Sequence, residues 1–320
     1  MLDMECTPAF TVLAMNIALG TIPFGTTVDE HDTFAILDRF AEAGGTMLDT
    51  ADNYPFWVEG CTGDESEAAI GSWLAARGNR DQMFLSTKVG ARPIVPGDRT
   101  LDRTEGLSAA AIDQAIEGSL RRLGTDHVDL YWAHIEDRSV PLEETLEKFD
   151  ELAQQGKIGR AGASNLPAWR LERARNVSAA NGWLPYTHLQ LRHTYLRPRP
   201  YTRPAEGGHT LTTDDHLAYV REHDVTLWAY NTLMFGAYTR DDRPIAEMYD
   251  HPGTTRRLAV LHEVARELGA TPNQVVLAWL LADGHVPIVG VSTLAQLEEA
   301  IGGADLKLDD ELKARLDAPC

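Results

Sequence analysis

Cysteine, net positive charge and long apolar runs are scarce or missing in this sequence. Its three cysteines, Cys6, Cys61 and Cys320, are too few and too far apart for a disulfide framework or a zinc motif. With 29 Lys and Arg residues against 48 Asp and Glu residues, the formal charge of -19 disfavours nucleic acids and anionic membranes as partners. No run approaches the roughly 18 apolar residues of a membrane span, and the first residues are acidic where a signal peptide needs basic ones. We therefore expect a cytoplasmic protein that binds neither nucleic acids nor membranes.

What the sequence does have is a regular alternation of two hydrophobic patterns. Apolar runs typical of buried strands are each followed by a stretch with apolar residues at helical spacing. The runs end near eight positions: Leu19, Leu48, Thr87, Ala133, Ala163, Leu191, Tyr230 and Val289. The helical stretches span residues 33–43, 65–76, 108–123, 142–153, 169–179, 214–221, 254–268 and 294–301. Strand–helix units in this order, without a linker, predict one α/β domain over residues 1–320, folded as a closed (β/α)8 TIM barrel.

An open, doubly wound sheet is the alternative architecture. It should carry a glycine-rich phosphate turn between an early strand and its helix. The nearest candidate, residues 20–25, leads into a polar loop and not directly into a helix, which favours the barrel. Three long connections, at residues 90–107, 192–213 and 231–253, follow strands 3, 6 and 7 and would lie at the carboxyl rim, where long loops usually bind a ligand. A further helix is expected at residues 272–281, before strand 8.

Four chemically reactive side chains lie at or just beyond the ends of three of these runs: Asp49, Tyr54, Lys88 and His134. If the three strands are neighbours in a parallel sheet, the four groups meet at its carboxyl edge. The ammonium of Lys88, with Asp49 as its counter-ion, should lower the pKa of Tyr54 from its usual value near 10. His134 could then hold a substrate carbonyl against the phenol. The pattern predicts an enzyme with a tyrosine general acid.

Six stretches of the sequence are distinctive: GTMLDTADNY at residues 45–54, GDESEAAIG at 63–71, STK at 86–88, LGTDHVDLYWAH at 123–134, GKIGRAGASN at 156–165 and PIVGVS at 287–292. Through these stretches, in this order, the chain resembles the aldo-keto reductase family. The resemblance implies a barrel that binds a nicotinamide dinucleotide without a Rossmann motif. It implies that Tyr54 is the general acid, Asp49 and Lys88 its tuning pair, and His134 the group that orients the carbonyl.

The resemblance also implies the cofactor site. Ser164, Asn165 and Gln190 would hold the nicotinamide carboxamide, and Tyr230 would stack on the nicotinamide ring. The other residues implied to contact the dinucleotide, some of them near its pyrophosphate and adenosine, are Gly20, Thr21, Ile22, Asp49, Asn231, Thr232, Leu233, Gly290, Val291, Ser292, Thr293, Gln296 and Glu299. NADP(H) is the family's usual cofactor, but Thr293 stands where many NADPH-binding members have Arg or Lys. Arg240 or Arg243 could supply the missing charge, and NAD(H) remains the alternative.

The substrate is expected to be a small carbonyl compound. Phe56 and Trp57 directly follow Tyr54 and should wall an apolar carbonyl pocket together with Tyr54 and His134. Tyr195, Tyr201 and Tyr238 lie in the predicted rim loops and are weaker candidates for the same wall.

Two other functions stay open at this stage. The β-subunits of voltage-gated potassium channels resemble aldo-keto reductases and act chiefly as cofactor-sensing binding partners, although such a module would not need all four reactive groups. A metal-dependent hydrolase on the same barrel would need clustered ligands, often His-x-His at strand 1, and residues 17–21 contain no histidine. No metal site is therefore predicted.

Overall fold

The strands form one closed parallel barrel in a computed structural model that describes residues 15–95, 97–204 and 207–318. Each strand pairs with the next one along the chain, and the last pairs with the first. In chain order the strands are β1 Ala18–Gly20, β2 Met47–Asp49, β3 Phe84–Val89, β4 Val128–Ala133, β5 Ile158–Ser164, β6 Tyr186–Arg192, β7 Thr226–Tyr230 and β8 Val286–Gly290. The predicted (β/α)8 barrel is confirmed.

Ten α-helices surround the barrel in the described part of the chain. They are α1 Glu30–Glu42, α2 Glu65–Arg77, α3 Ala109–Leu123, α4 Leu142–Gln154, α5 Ala168–Asn181, α6 Asp214–Glu222, α7 Pro252–Leu268, α8 Pro272–Ala282, α9 Leu294–Asp305 and α10 Asp310–Asp317. None of them is both long enough and apolar enough to cross a membrane. The core lies between the strands and this helical layer, with aromatic side chains such as Trp132 and Trp228 filling the barrel itself.

Two helices show what the sequence patterns capture and what they miss. Thr271 and Gln274 each bond the other's backbone N–H at the start of α8, and Pro272 occupies the first turn, where its missing N–H leaves no bond unmade. The sequence patterns predict this helix but not α10. Only Leu312 and Leu316 are buried in that eight-residue helix, so it has too few apolar residues for a helical pattern to be recognised in the sequence.

The parallel register places the reactive side chains on one rim. Asp49 ends β2 and lies beside Ser86 of β3, while Lys88 lies beside Trp132 of β4, two residues before His134. Because every strand runs in the same direction, all their carboxyl ends open on the same face of the barrel. The strand adjacency inferred from the sequence is therefore the one observed.

Long connections and exposed apolar side chains also belong to this rim. Residues 90–108, 193–213 and 231–251 join β3 to α3, β6 to α6 and β7 to α7, as predicted. The large apolar side chains that are exposed in the described residues all follow a strand and precede, or begin, the next helix: Ile22, Trp57, Ile94, Trp169, Tyr201, Phe235 and Leu294. Apolar surface concentrated around a rim of loops is typical of a ligand-binding face.

Candidate active site

A buried ion pair lies at the ends of β2 and β3. Lys88 Nζ donates to Asp49 Oδ2 at 2.7 Å and to the backbone oxygen of Thr50 at 2.5 Å. The other carboxylate oxygen of Asp49 accepts from Ser86 Oγ at 2.7 Å and from Gln190 Nε2 at 3.2 Å. The lysine is fully buried and the aspartate is 3% exposed. Both charged groups are desolvated, and they are stabilised by each other and by these polar partners.

Tyr54 lies directly against this pair. Lys88 Nζ is 4.6 Å from the centre of the Tyr54 ring. Burial would lower the pKa of Lys88, but Asp49 and Tyr54 raise it above its ordinary value, so the lysine stays charged. Burial raises the pKa of Tyr54 by more than the Lys88 charge lowers it. The predicted net lowering of the Tyr54 pKa is therefore wrong, because taking a phenolate out of water costs more than the nearby ammonium returns.

His134 completes the group immediately after β4. Its Nε2 is 3.5 Å from the Tyr54 hydroxyl, and the two rings meet edge to face with centroids 5.6 Å apart. Burial, followed by the charges of Lys88 and His209, lowers the pKa of His134 well below its ordinary value. The imidazole is therefore neutral at pH 7, and it carries one N–H that can donate a hydrogen bond.

A second set of polar groups lies at the ends of β5, β6 and β7. Ser164 is 1% exposed, and its hydroxyl has no hydrogen-bond partner in the described residues. Asn165 adopts a left-handed backbone conformation, with φ at 59°, and its Nδ2 donates to the His134 carbonyl oxygen at 3.1 Å. The Tyr230 hydroxyl donates to Asn165 Oδ1 at 2.8 Å. The structure thus brings Ser164, Asn165, Gln190 and Tyr230 together beside the reactive group.

Two residues of the connection after β6 reach this set, and no sequence pattern predicts either of them. His209 Nδ1 lies 2.9 Å from the Tyr230 hydroxyl. Thr210 donates from its backbone to Asn165 Oδ1 at 3.0 Å and from its hydroxyl to the Asn165 carbonyl at 2.9 Å. The sequence marked this connection as functional by its length alone. No periodic pattern shows which of its residues folds back onto the strand ends.

The last residue of β1 and the two residues after it differ in burial. The Thr21 hydroxyl donates to the Asp49 carbonyl at 3.1 Å and lies 2.8 Å from Ser66 Oγ, so it supports the end of β2 from inside the fold. Gly20 is buried beside β8, and Ile22 is 40% exposed at the rim. Of the three, the Ile22 side chain is the one that projects towards solvent.

The residues after β7 form a tight turn. Asn231 has a left-handed backbone, with φ at 55°, and non-glycine residues held in this conformation occur often at ligand sites. Thr232 is buried, and Leu233 is half-buried. Further along the same connection, both oxygens of Asp242 accept from Arg240, at 2.9 and 2.6 Å. Arg240 is thus exposed at the rim but already paired.

The end of β8 and the start of α9 form an open edge. Gly290 and residues 292–296 are exposed, whereas Val291 between them is only 2% exposed. Thr293 caps α9 by accepting from the Gln296 N–H at 3.3 Å, and Gln296 Oε1 accepts from the Ser292 N–H at 2.7 Å. The first turn of a helix, with its free N–H groups, therefore lies beside an exposed strand end.

Asn273 of α8 connects this edge to the loop after β7, and the sequence analysis did not identify it. Its Nδ2 donates to Glu299 Oε2 at 3.1 Å and to Thr239 Oγ1 at 3.2 Å. Glu299 Oε1 accepts from the Thr271 hydroxyl at 2.6 Å. The carboxylate of Glu299 is therefore held by α8. The predicted residues Arg240 and Glu299 lie on segments that Asn273 joins.

Of the aromatic residues proposed for a substrate wall, two lie beside Tyr54. The Trp57 ring meets the Tyr54 ring edge to face, with centroids 6.0 Å apart, and the Phe56 ring meets Trp57 at 5.0 Å. Trp57 is 41% exposed and Phe56 is 9% exposed. Tyr195 and Tyr238 are instead buried in a cluster packed around α7 and α8, so their proposed place in the wall is wrong.

Neither a metal centre nor a reactive cysteine is evident in the part of the chain that the structure describes. No three His, Cys, Asp or Glu side chains there are placed to hold a metal ion. Cys61 is a free thiol, and burial together with the nearby Glu65 carboxylate raises its pKa, which opposes thiolate formation. Cys6 and Cys320 lie outside the described residues.

Comparison with known proteins identifies the family. The aldo/keto reductase family model matches residues 16–319. The chain is 30% identical to the uncharacterized oxidoreductase YrpG of Bacillus subtilis over 93% of this chain and 89% of that protein. It is 29% identical to the norsolorinic acid reductase stcV of Emericella nidulans over 95% and 78% of the two chains. A solved structure of the thermostable aldo-keto reductase Tm1743, in complex with the inhibitor epalrestat, has a TM-score of 0.72 and 26% identity over 94% of both chains.

The family match, the relatives and the solved structure agree with one another and extend over nearly the whole chain. The protein therefore belongs to the aldo/keto reductase family and is an oxidoreductase.

Proposed function

We propose that this enzyme reduces an aldehyde or ketone to the alcohol with a reduced nicotinamide dinucleotide, NADPH in preference to NADH, and that Tyr54 donates the proton. The observation that carries the proposal is the position of the Tyr54 phenol between a buried ammonium and a neutral imidazole. We also propose a cytoplasmic location, which the low cysteine content supports.

The strand ends of β5 to β7 fit the nicotinamide end of a dinucleotide. A buried hydroxyl without a partner, Ser164 Oγ, can bond a ligand amide. Gln190 lies close by, with its Nε2 on Asp49. The half-buried ring of Tyr230 can stack on a flat heterocycle, which contributes about 0.5–1.5 kcal/mol beyond area burial. When bound, the reduced nicotinamide would supply the hydride to the carbonyl carbon.

The residues of the chain would handle the proton. As negative charge develops on the carbonyl oxygen, the Tyr54 hydroxyl gives its proton to that oxygen, leaving an alcohol and a phenolate. A raised pKa keeps Tyr54 protonated and ready to donate at neutral pH. The adjacent Lys88 charge stabilises the phenolate as it forms, and in this buried site that attraction is stronger than in water. His134, being neutral, can donate its N–H to the same oxygen and orient the carbonyl.

The proposed preference for NADPH depends on the outer edge of the site. The free N–H groups at the start of α9 can bind an anionic phosphate, and Arg240 is one of two exposed arginines, with Arg243, on the loop that Asn273 joins to Glu299. Arg240 is now bonded to Asp242, so phosphate binding would have to share or replace that pair. Residues 290–293 and 296 would line the adenosine side.

Replacing Tyr54 by Phe tests the central assignment. The variant keeps the ring against Lys88 but removes the transferable proton, so carbonyl reduction should fall by at least about 100-fold. Dinucleotide affinity, measured by fluorescence titration, should change little because the hydroxyl faces the carbonyl. A Tyr219→Phe variant is the matched control, since it removes a phenol hydroxyl that donates to Glu172 from α6, outside the proposed site. Equal rates for Tyr54→Phe and wild type would remove Tyr54 from the reaction.

A further inference from the structure

The connection after β6 returns to the barrel and pairs with the strand that it left. The Arg192 N–H donates to the Thr210 carbonyl at 3.1 Å, and the Thr212 N–H donates to the Arg192 carbonyl at 3.0 Å. Together with the contacts of Thr210 to Asn165 and of His209 to Tyr230, these bonds hold residues 209–212 across the ends of β5, β6 and β7. His209 is thereby fixed over Tyr230, with the two ring centroids 5.6 Å apart. The loop thus supplies an imidazole to the site from a distant part of the sequence.

The hydrogen bonds around Asn165 determine which group is the donor and which is the acceptor in each bond. The Thr210 backbone N–H can only donate and the His134 carbonyl can only accept, so the Asn165 amide must present Oδ1 to the former and Nδ2 to the latter. The Tyr230 hydroxyl therefore donates its single proton to Asn165 Oδ1. Its oxygen must then accept from His209 Nδ1, which requires the tautomer with hydrogen on Nδ1.

This directed chain of bonds starts at His209 and ends at the backbone of the predicted carbonyl-orienting residue. It runs from His209 through Tyr230 and Asn165 to His134. Asn165 holds a left-handed backbone, a conformation that surrounding bonds must maintain. The Tyr230 ring packs on the cluster that contains Trp228, and Arg192 lies over it at 5.9 Å, while its two hydroxyl bonds add a directional restraint on the ring.

We propose that His209 is a positioning residue for the nicotinamide end of the dinucleotide, acting through the Tyr230 hydroxyl. This inference rests on the proposed function and adds a residue on the β6 connection to it. His209 makes no contact with the reacting atoms in this role. It sets the Tyr230 ring and the Asn165 amide in the orientation that a nicotinamide would meet. Because NADPH and NADH share the nicotinamide end, both should depend on His209 equally.

The test is a set of fluorescence titrations with NADPH and NADH on the whole chain. His209→Ala should raise both dissociation constants by about 3- to 10-fold, as expected for one lost hydrogen bond. His209→Asn places an amide N–H near the position of Nδ1 and should return both values to within about 2-fold of wild type. His209→Gln places its amide nearer the position of Nε2 and should not restore binding.

A double-mutant cycle with Tyr230→Phe separates positioning from a general structural role. If His209 acts through the hydroxyl, adding His209→Ala to Tyr230→Phe should change the dissociation constants by less than about 2-fold further. His223→Ala is the matched control, because His223 also packs on a tyrosine, Tyr219, with centroids 4.3 Å apart, but lies at the end of α6. It should bind both dinucleotides like wild type.

The outcomes distinguish a failure of the His209 role from a failure of the proposed function. Unchanged affinity in His209→Ala, or a full additive loss on top of Tyr230→Phe, would overturn the role of His209 while leaving the proposed function standing. Equal rescue by Asn and Gln would also overturn it, since the donor at Nδ1 would then be irrelevant. If wild type binds neither NADPH nor NADH, the proposed function fails and the role of His209 fails with it.

Discussion

The two sides of the site are built in opposite ways. The proposed catalytic side, Asp49, Tyr54, Lys88 and His134, contains a buried ion pair between neighbouring strands and groups whose pKa values burial shifts. The proposed dinucleotide side, the residues that follow β5 to β8, is made of strand ends, loops and exposed pairs such as Arg240–Asp242. The catalytic side couples chemistry to stability of the fold. Because such pairs are exposed, we expect substitutions on the dinucleotide side to leave the core undisturbed.

The largest difference between the two sides should appear on removing the buried lysine. Lys88→Met leaves Asp49 as a buried charge without its cation, so the free energy of unfolding should fall by about 3–5 kcal/mol. Carbonyl reduction should be lost as well, because Tyr54 loses the charge that stabilises its phenolate. Urea unfolding and steady-state rates measure both effects.

The matched control for this change is Lys157→Met. Lys157 pairs with Glu117 at 2.6 Å on the surface, so the same substitution there should cost less than about 1 kcal/mol. The double variant Lys88→Met with Asp49→Asn should regain part of the lost stability, since no unpaired charge remains. A Lys88→Met protein as stable as Lys157→Met would contradict the view that the catalytic side is coupled to the fold.

A smaller and more selective effect is expected at the outer edge. Arg240→Ala should weaken NADPH binding by about 2- to 5-fold, the range of one solvent-exposed charged pair, and leave NADH binding and unfolding free energy unchanged. Asp242→Asn should tighten NADPH binding, because it releases the Arg240 guanidinium from its ion pair. Titrations with both dinucleotides measure the difference.

Arg243 provides the comparison within the same loop. Arg243→Ala should bind NADPH like wild type if Arg240 is the cation that meets the phosphate. A larger loss in Arg243→Ala than in Arg240→Ala would transfer the assignment to Arg243. A tighter complex with NADH than with NADPH in wild type would remove the proposed preference altogether.

The sequence predicted the barrel and the meeting of the four reactive groups because both follow from local patterns. Apolar runs mark the strands, and in a parallel barrel consecutive strands are neighbours, so the Asp49–Lys88 pair could be foreseen from order alone. His209 and Asn273 were missed because strand order does not determine which loop or helix side chains contact the strand ends and their loops. The direction of the Tyr54 pKa shift was missed because desolvation depends on how many atoms surround the hydroxyl, and the sequence does not show this number.

The smallest expected effect is a reaction rate that does not change with pH over a broad range. This measurement distinguishes a raised pKa of Tyr54 from a lowered one. Burial places the pKa of His134 well below 6.5 and that of Tyr54 above 10, so His134 is neutral and Tyr54 protonated between these values. The rate of carbonyl reduction, measured as kcat/KM at saturating dinucleotide, should therefore be flat from about pH 6.5 to 10 and fall only outside that range. An acid limb that disappears in a His134→Gln variant would assign that limb to His134. A decline already between pH 7 and 9 would instead mean that Lys88 outweighs burial and that Tyr54 loses its proton earlier, because a phenolate cannot serve as the proton donor.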